Sequence, residues 1–574
     1  AKALAAEGVT DVFGIIDGTY FGLYRALAGE GITLHSPRHE SSAAHMAGAY
    51  ARVTGRLGVC IASNGPGVAN VPPGVAVEQG EGNRVLLITS CRRLGITHPD
   101  RGGAYQSFDQ TAVTAPITRW SGRVPSADRL PELLRRALRA CFSGRPGVVH
   151  LDVPENLVNQ PSGLGSEAIW APSRYRRTTP VAPDAGLVEQ AARLLATARQ
   201  PLIHAGSGVL HAGAEVELAR LAALLGAPVT TSWAARGVLP EQRLEAIPMT
   251  ALALNDEVRN AADVALVVGS RLGETDWWGK APHWAPPQRQ QTIQVDVDDE
   301  HLGVNKPVTL ALLADARAAL RELADAVERH GVADLERRTA QLETWRTAWR
   351  KERARLDKAL RRSGPTVPPA QVPNTARQVM PPGTIWVFDG GNTVVWSNFY
   401  HSATTPRSLL STFKFGMLGA GVAQALGAAA AQPGRPVCCI IGDGAMGFHP
   451  QEVETAVRNH LPVVYLVLCD KQWGMVKMNQ QFMLRPLKTM IMKSLGPDET
   501  IKTDLGEIEF DRMAQAMGAH GERVADPRLL RPALERAIAS GKCAVIHVDV
   551  DPVKHMWAPG LIHFKKMHEE PKGR

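Results

Sequence analysis

The 574-residue sequence predicts an α/β protein of three consecutive domains, each an open parallel sheet with helices on both faces. Three observations carry that reading. Short apolar runs bounded by turn residues recur along the chain, each followed by a helical period of about 10–15 residues. The chain is too long for one core, and at roughly 150 residues per domain it should hold three or four. Two stretches without period, residues 156–188 and the proline-rich SGPTVPPAQV at 363–372, fall where junctions belong.

In the first domain, placed at residues 1–160, residues 11–16 read as a strand and 40–53 (ESSAAHMAGAYARV) as a helix with small residues on one face. Strands come next at 58–63 and 83–89, and 148–153 ends the set. The second domain, 188–332, opens at PLIHAGSGVLHAGA from Pro201. It runs through APVTTS (227–232), DVALVVGSR (263–271) and TIQVDVD (292–298) to a helix near 313–330. A segment rich in Ala, Arg and Glu, 334–362, is predicted helical. The third domain, 370–552, has strands at IWVFD (385–389), PVCCIIGD (436–443), VVYLVLCD (463–470) and CAVIHVDV (543–550). Residues 553–574 form a tail or lid with no strand or helix period. AGSGVLHAG (205–213) comes nearest to a dinucleotide-binding fingerprint, but it lacks the second glycine spacing and the acid about 20 residues later.

The composition, 44% hydrophobic and 21% charged, is that of globular material and excludes disorder, collagen and coiled coil. Seven dispersed cysteines, an odd number, make no disulfide framework, so a reducing cytoplasm is expected. No apolar run reaches about 18 residues and no signal or lipidation motif is seen, so membrane insertion is not expected. The net charge is +8 and the pI about 9.2. The basic runs alternate with acids, and with only 5% aromatics there is no stacking platform for nucleic acid. A mildly positive surface suits small anionic substrates or cofactors, and equally suits solubility alone.

Chemistry concentrates in four places. GDGAMGF (442–448) comes directly after the strand VCCII, and a strand, an acid, a glycine turn and a helix make a diphosphate–metal layout. Asp443 offers a carboxylate there. Asp470 lies 27 residues on, in CDKQWG after another apolar strand, so both acids can face one octahedral Mg²⁺ with a carbonyl near Gln472. Either aspartate alone reads as a helix cap or turn residue; the pairing favours the metal. FDGGNTVVW (388–396) presents Gly391, Asn392 and Thr393 as donors to the same diphosphate. Glu40, in RHESSAAHMAGAYAR (38–52), opens a helix of alanine and glycine suited to close packing against another domain.

GDG with an acid 27 residues later, together with the early RHE–AAHMA–AYAR segment, resembles the thiamine-diphosphate (ThDP)-dependent enzymes of the acetolactate-synthase type, over essentially the whole chain. The resemblance implies an N-terminal pyrimidine-binding domain, a central nucleotide-binding-like domain and a C-terminal domain for diphosphate and Mg²⁺. It also implies an active site shared between subunits, hence a homodimer at minimum and commonly a homotetramer. Glu40 then matches the glutamate that bonds the aminopyrimidine and promotes proton removal from C2, the carbanion centre of this chemistry. Asp443 and Asp470 match the metal ligands, the latter usually Asn in the family, and Gln472 matches the position whose backbone carbonyl completes the shell. Gly442, Gly444, Ala445 and Met446 belong to the diphosphate turn. FGMLGAG (415–421) aligns with the segment gripping the pyrimidine, with Gly416 in it and Leu418 as the bulky residue that bends the cofactor. GPGVAN (65–70) and YQSFDQ (105–110) resemble active-site loops, and Gln106 matches a glutamine near substrate. FGIIDG (13–18) departs from the family's FGxPGG, so that Ile16 and Asp17 stand there; Asp17 either handles protons or turns the chain.

The segment after WGMV is lengthened and rich in Met and Lys. Trp473, Met475 and Met478 are candidate substrate contacts, and Met483, Met490 and Met492 extend them as an adaptable apolar wall or as mobile surface helix. The DGGNT pattern is shared with oxalyl-CoA decarboxylase and 2-hydroxyacyl-CoA lyases, whose C-terminal segment closes over a thioester. Here Lys554, Trp557, Lys565, Lys566 and Arg574 would serve that purpose. Arg145, Arg271 and Asp296 are candidates for a central-domain cleft that would hold FAD, ADP or part of CoA. The resemblance thus implies a ThDP- and Mg²⁺-dependent carbon–carbon lyase or carboligase acting on 2-oxo acid or aldehyde and ketone donors. A 2-hydroxyacyl-CoA lyase is the alternative, and a 2-oxo acid decarboxylase ranks third because no adjacent His pair is present.

Overall fold

The computed structural model describes residues 1–97, 101–567, 569 and 571. It contains three parallel sheets in two compact units. One unit holds residues 1–178, 375–394 and 410–553; the other holds 179–374, 395–409 and 554–574.

The first unit carries two six-stranded sheets. The N-terminal one comprises β1 (Asp11–Gly14), β2 (Thr33–His35), β3 (Gly58–Ala62), β4 (Val85–Cys91), β5 (Trp120–Arg123) and β6 (Val148–Pro154), in the order β2-β1-β3-β4-β6-β5. In the second unit, β7 (Pro201–Ala205), β8 (Val229–Thr231), β9 (Val264–Val268), β10 (Gln291–Asp296) and β11 (Leu310–Leu313) order as β11-β10-β9-β7-β8. The C-terminal sheet comprises β12 (Ile385–Asp389), β13 (Leu409–Leu410), β14 (Val437–Gly442), β15 (Val463–Cys469), β16 (His520–Val524) and β17 (Ala544–Asp549), ordered β13-β12-β14-β15-β17-β16. The inner strands are those the apolar runs predict. Five short edge strands, β2, β5, β11, β13 and β16, are additions: only two to five residues long, they leave little apolar trace.

In the first unit the helix Glu40–Thr54 is buried from Glu40 through Val53. The small residues predicted to suit an interface pack against the helix Ala420–Ala431, itself nearly all Ala, Gly and Val. A Cβ on Gly427 would stand 2.2 Å from the carbonyl oxygen of Met46, so the glycine is what lets the helix axes approach. One apolar core therefore runs through both sheets of this unit, from Val85 and Val148 to Val437 and Tyr465.

In the second unit the helices Ala185–Thr197, Glu215–Leu225 and Ala316–His330 cover the sheet. The predicted helix at 334–362 is Leu335–Leu356 with a 3₁₀ turn to Arg361. Its Arg338 is fully buried and donates to the carbonyls of Leu225 at 3.0 Å and Ala196 at 2.8 Å, capping the ends of two sheet-covering helices. The C-terminal segment, expected to lack helix period, instead forms the short helices Pro552–Met556 and Leu561–Lys566. The second docks within its unit, with Phe564 5.2 Å from Trp233 and His563 edge-on to Trp277 at 5.0 Å between ring centroids. Four such ring contacts substitute for the apolar stripe a longer helix would need. Arg574 lies outside the described residues.

Candidate active site

The strand order places β12, β14 and β15 side by side and parallel, so the turns leaving them share one edge of the sheet. The turn after β12 begins with Asp389, whose carboxylate accepts N–H bonds from Gly390 at 2.6 Å and Gly421 at 2.8 Å. It thereby ties the DGGNT turn to the FGMLGAG segment. Burial pushes the Asp389 carboxyl up to about 6, against the pull of those N–H groups. Asp389 ends the strand IWVFD but leaves no signal of its own in the sequence, because its work is internal to the turn.

Gly390 has φ +97, and a Cβ there would lie 3.2 Å from the nitrogen of Gly442, so the β12 and β14 turns abut. A Cβ on Gly442 would lie 3.0 Å from Thr393 Oγ1. Asp443 accepts from its neighbour Gly444 N–H at 2.7 Å through Oδ1 and from Lys471 N–H at 2.7 Å through Oδ2, joining the β14 and β15 crests. Lys471 is left-handed, φ +57, which sets Asp470 and Gln472 on either side of a sharp turn. Asp470 is buried and accepts from Gln472 Nε2 at 3.1 Å; the same amide donates to the carbonyl of Pro552 at 2.8 Å.

Asn392 is 4% exposed, and neither Nδ2 nor Oδ1 has a hydrogen-bond partner among the described residues. A Cβ on Gly474 would stand 2.6 Å from Asn392 Nδ2 and 3.3 Å from Asp470 Oδ2, so three turns converge on one small space. Gly391 faces Met475 in the same way, at 2.9 Å. A buried amide left unpaired costs about 1–3 kcal/mol, and a bound ligand, an ion or ordered water is what offsets that cost in a native chain. Two acids, a buried unpaired amide and glycine-lined turns fit a metal–diphosphate group. Ala445 and Met446 are buried in the first turn after β14, and Gly416, with φ +67, and half-buried Leu418 lie in the adjoining segment.

Beside Asp443 opens a mostly apolar cavity of about 550 Å³, lined by Phe448, Trp473, Ile508, Phe510 and His547 among others. Trp473 covers Gly444, 2.8 Å from where a Cβ would be, and meets Phe448 edge-on at 6.2 Å. Glu507, His547 and Asp549 bring ligand-type atoms within 4.8 Å of one another. Arg523 already donates to Glu507 at 2.6 Å and to Asp549 at 2.8 Å, so a guanidinium meets that charge. The predicted methionine wall divides. Met478 is fully buried, whereas Met483, Met490 and Met492 are exposed.

In the N-terminal sheet Glu40 is 8% exposed and accepts from Asn70 Nδ2 at 3.1 Å. Asn70 ends the GPGVAN motif and was not singled out from the sequence; its pairing with Glu40 links that motif to the helix start. His39 caps the same helix, its Nδ1 accepting from Ser41 N–H at 3.1 Å. Its ring lies 5.4 Å from that of His449, which burial and the neighbouring His45 and His39 push down to about 4. Gln106 is exposed, in left-handed backbone with φ +53.

Other sequence candidates are engaged in local structure. Asp17 accepts from Thr19 N–H at 2.9 Å and from the Thr19 hydroxyl at 2.8 Å, the bonds of a turn-former, beside exposed Ile16. Arg145 donates to the carbonyls of Gln79 at 3.2 Å and Gly80 at 2.6 Å, at the end of the helix Pro72–Glu81. Asp296 is buried at the end of β10 and accepts from Asp298 N–H at 3.0 Å, while the Arg271 carbonyl accepts from Asn305 at 2.7 Å. Trp557 lies between the two C-terminal helices.

Three family descriptions fit successive parts of the chain. They are the thiamine pyrophosphate enzyme N-terminal TPP binding domain at residues 1–113, the central domain at 188–323 and the C-terminal TPP binding domain at 389–548. The chain belongs to the thiamine-diphosphate-dependent enzymes: it binds that cofactor and performs the carbanion-based lyase or carboligase chemistry of the class. Among its relatives is a sulfoacetaldehyde acetyltransferase of Alcaligenes xylosoxydans xylosoxydans, 30% identical over 95% of this chain and 91% of that protein. A probable acetolactate synthase large subunit of Methanocaldococcus jannaschii is 28% identical over 96% and 91%. A probable 2-ketoarginine decarboxylase of Pseudomonas aeruginosa is 32% identical over 83% and 82%. No helix among the described residues is long and apolar enough to cross a membrane.

Proposed function

We propose that this chain is a ThDP- and Mg²⁺-dependent carboligase that takes a 2-oxo acid as donor. The observation that supports this most is the buried, unpaired amide of Asn392 beside Asp470 and Gly474, at the crest that also carries Asp443. Asp443, Asp470 and the Gln472 carbonyl would hold the cation, while Asn392, Thr393 and the N–H groups of the Gly444 turn would hold the diphosphate. Bound there, the cofactor supplies an acidic C–H that becomes a nucleophile and an electron sink for the bond next to a carbonyl. Glu40, fixed by Asn70, would hold a proton against the pyrimidine ring. Gln106 would offer a neutral N–H to a developing alkoxide. Phe448 and Trp473 would keep water from the reacting carbon. Each site would draw on two copies of the chain, so the working form would be a homodimer or homotetramer.

A 2-oxo acid donor accords with relatives named for acetolactate synthesis and for 2-ketoarginine decarboxylation, whereas the relative named a sulfoacetaldehyde acetyltransferase points to an aldehyde donor. The thioester alternative needs the C-terminal segment as a cover for CoA, and the docking of Phe564 and His563 on Trp233 and Trp277 gives that segment another task. The test is turnover of the purified protein with ThDP and Mg²⁺, with pyruvate followed as acetolactate and CO₂, and a 2-hydroxyacyl-CoA followed as released aldehyde or ketone. Turnover of pyruvate is expected. Turnover of the thioester alone would overturn the proposal, and CO₂ with free aldehyde but no acetolactate would make the protein a decarboxylase.

A further inference from the structure

We infer that Gln110 is the positioning residue that holds Gln106 at the substrate side of the site; the inference rests on the proposed role of Gln106 as a donor to substrate. Gln110 opens the helix Gln110–Thr114 and is 1% exposed. Its Oε1 accepts from Gly65 N–H at 2.9 Å, and its Nε2 donates to the Ser90 carbonyl at 2.8 Å and to Asp152 Oδ1 at 2.8 Å. One side chain thus binds the crests of β3, β4 and β6 together. The amide has one possible orientation. Asp152, fully buried, accepts from the Thr89 hydroxyl at 2.6 Å and from Arg123 Nε at 2.8 Å, and the Ser90 carbonyl beside it has no proton to give. Nε2 must face it, which leaves Oε1 for Gly65.

Gly65 in turn sets Gln106. It has φ +64, and a Cβ on it would fall 2.7 Å from the Gln106 Cβ and 2.9 Å from its Cα. Asn64 Nδ2 donates to the Gln106 carbonyl at 3.1 Å, and Asn64 N–H is itself held by Ser90 Oγ at 2.9 Å. Gln106 stands in a left-handed conformation that an L-residue keeps only when its surroundings impose it. Those surroundings are the Asn64–Gly65 turn, and Gln110 fixes that turn to the sheet. The direction of the Gln106 side chain is therefore set from Asp152, through Gln110 and Gly65, rather than by its own loop.

The experiment is a double-mutant cycle on the full-length protein with ThDP and Mg²⁺, using pyruvate, with Gln110→Met, Gln106→Ala and both together. Gln110→Met is expected to lower kcat about 10- to 100-fold with the apparent ThDP affinity within about twofold of wild type, and the double variant to lie within about twofold of the slower single. Losses that multiply would show that Gln110 acts on something other than Gln106 and overturn the inference, as would a Gln110→Met variant at wild-type rate. If Gln106→Ala alone is fully active, it is the reading of Gln106 that falls first, and the inference falls with it. Amide exchange is read independently of turnover. Gln110→Met should speed exchange of the 63–66 and 104–109 segments, and unchanged protection there would overturn the inference. Gln110→Glu is the conservative variant. Facing Asp152, with Arg123, His150, Cys91 and Tyr20 as the charged or titratable groups around that carboxylate, it can restore a donor only when protonated. Its activity relative to wild type should rise as pH falls from 8 to 6, whereas that of Gln110→Met should not; parallel profiles would count against the inference.

Discussion

Asn392 illustrates how a single side chain can be misfit in one state and matched in another. Both polar atoms of its amide are buried without partners, a cost of about 1–3 kcal/mol to the chain alone. Asn392→Ala is therefore expected to leave the cofactor-free Tm unchanged or raised, and to abolish most of the Tm increase that ThDP and Mg²⁺ give the wild type; calorimetry with and without both ligands checks it. Glu40→Gln should reduce turnover by at least about a hundredfold while ThDP still binds, which steady-state kinetics and a binding titration separate. Asp443, Asp470 and Glu40 stand out as candidates in the sequence because strand, acid and glycine turn stand together, or because an acid opens a helix of small residues. Asn70, Gln110 and Asp389 do not, since each acts through a partner that is distant in sequence or through backbone groups that leave no pattern.

At the scale of elements, the fold depends on close approach between helices. Gly427→Ala would put a methyl group 2.2 Å from the Met46 carbonyl, backbone against backbone, with no side chain able to yield. Destabilisation of about 1–3 kcal/mol or more is expected, read as a lower urea midpoint for the first unit. Gly48 is similar: a Cβ would meet the fully buried Glu78, which His45 at 3.1 Å and Asn83 at 2.6 Å hold in place. Inner strands such as β14 and β15 were readable because both faces are covered and the sequence is continuously apolar. The edge strands and the two C-terminal helices were not, because elements of two to six residues take their shape from what they dock against.

For the molecule as a whole, buried groups of the first unit contribute to the acid–base behaviour with opposite signs. Glu81 accepts from Lys414 N–H at 2.7 Å, and burial raises its carboxyl to about 7. The native chain thus keeps a proton that the unfolded chain releases above about pH 4.5. This contribution is complete below that pH and is lost as pH rises through 7, a change of about 1–3 kcal/mol. His150, pushed down to about 4 by burial, works with the opposite sign: its contribution is present above about 6.5 and lost as pH falls towards 4. Glu81→Gln keeps the acceptor for Lys414 and should flatten the fall in Tm between pH 5 and 7 relative to wild type. A parallel Tm–pH curve would refute this. Three sheets were legible in the sequence, but their grouping into two units was not, because it depends on which helix faces meet.

All seven cysteines are buried, reduced and in the first unit, their thiols pushed up by burial. Most of the twelve tryptophans, among them Trp233, Trp277, Trp284 and Trp345, lie in the second. Evolution has in effect labelled the two units with different dyes. Alkylation by a thiol reagent should be negligible in the native protein and should track the opening of the first unit only. Indole fluorescence should report chiefly on the second. Run together along one denaturant series, the two signals would tell whether the halves of this chain let go at once or in turn.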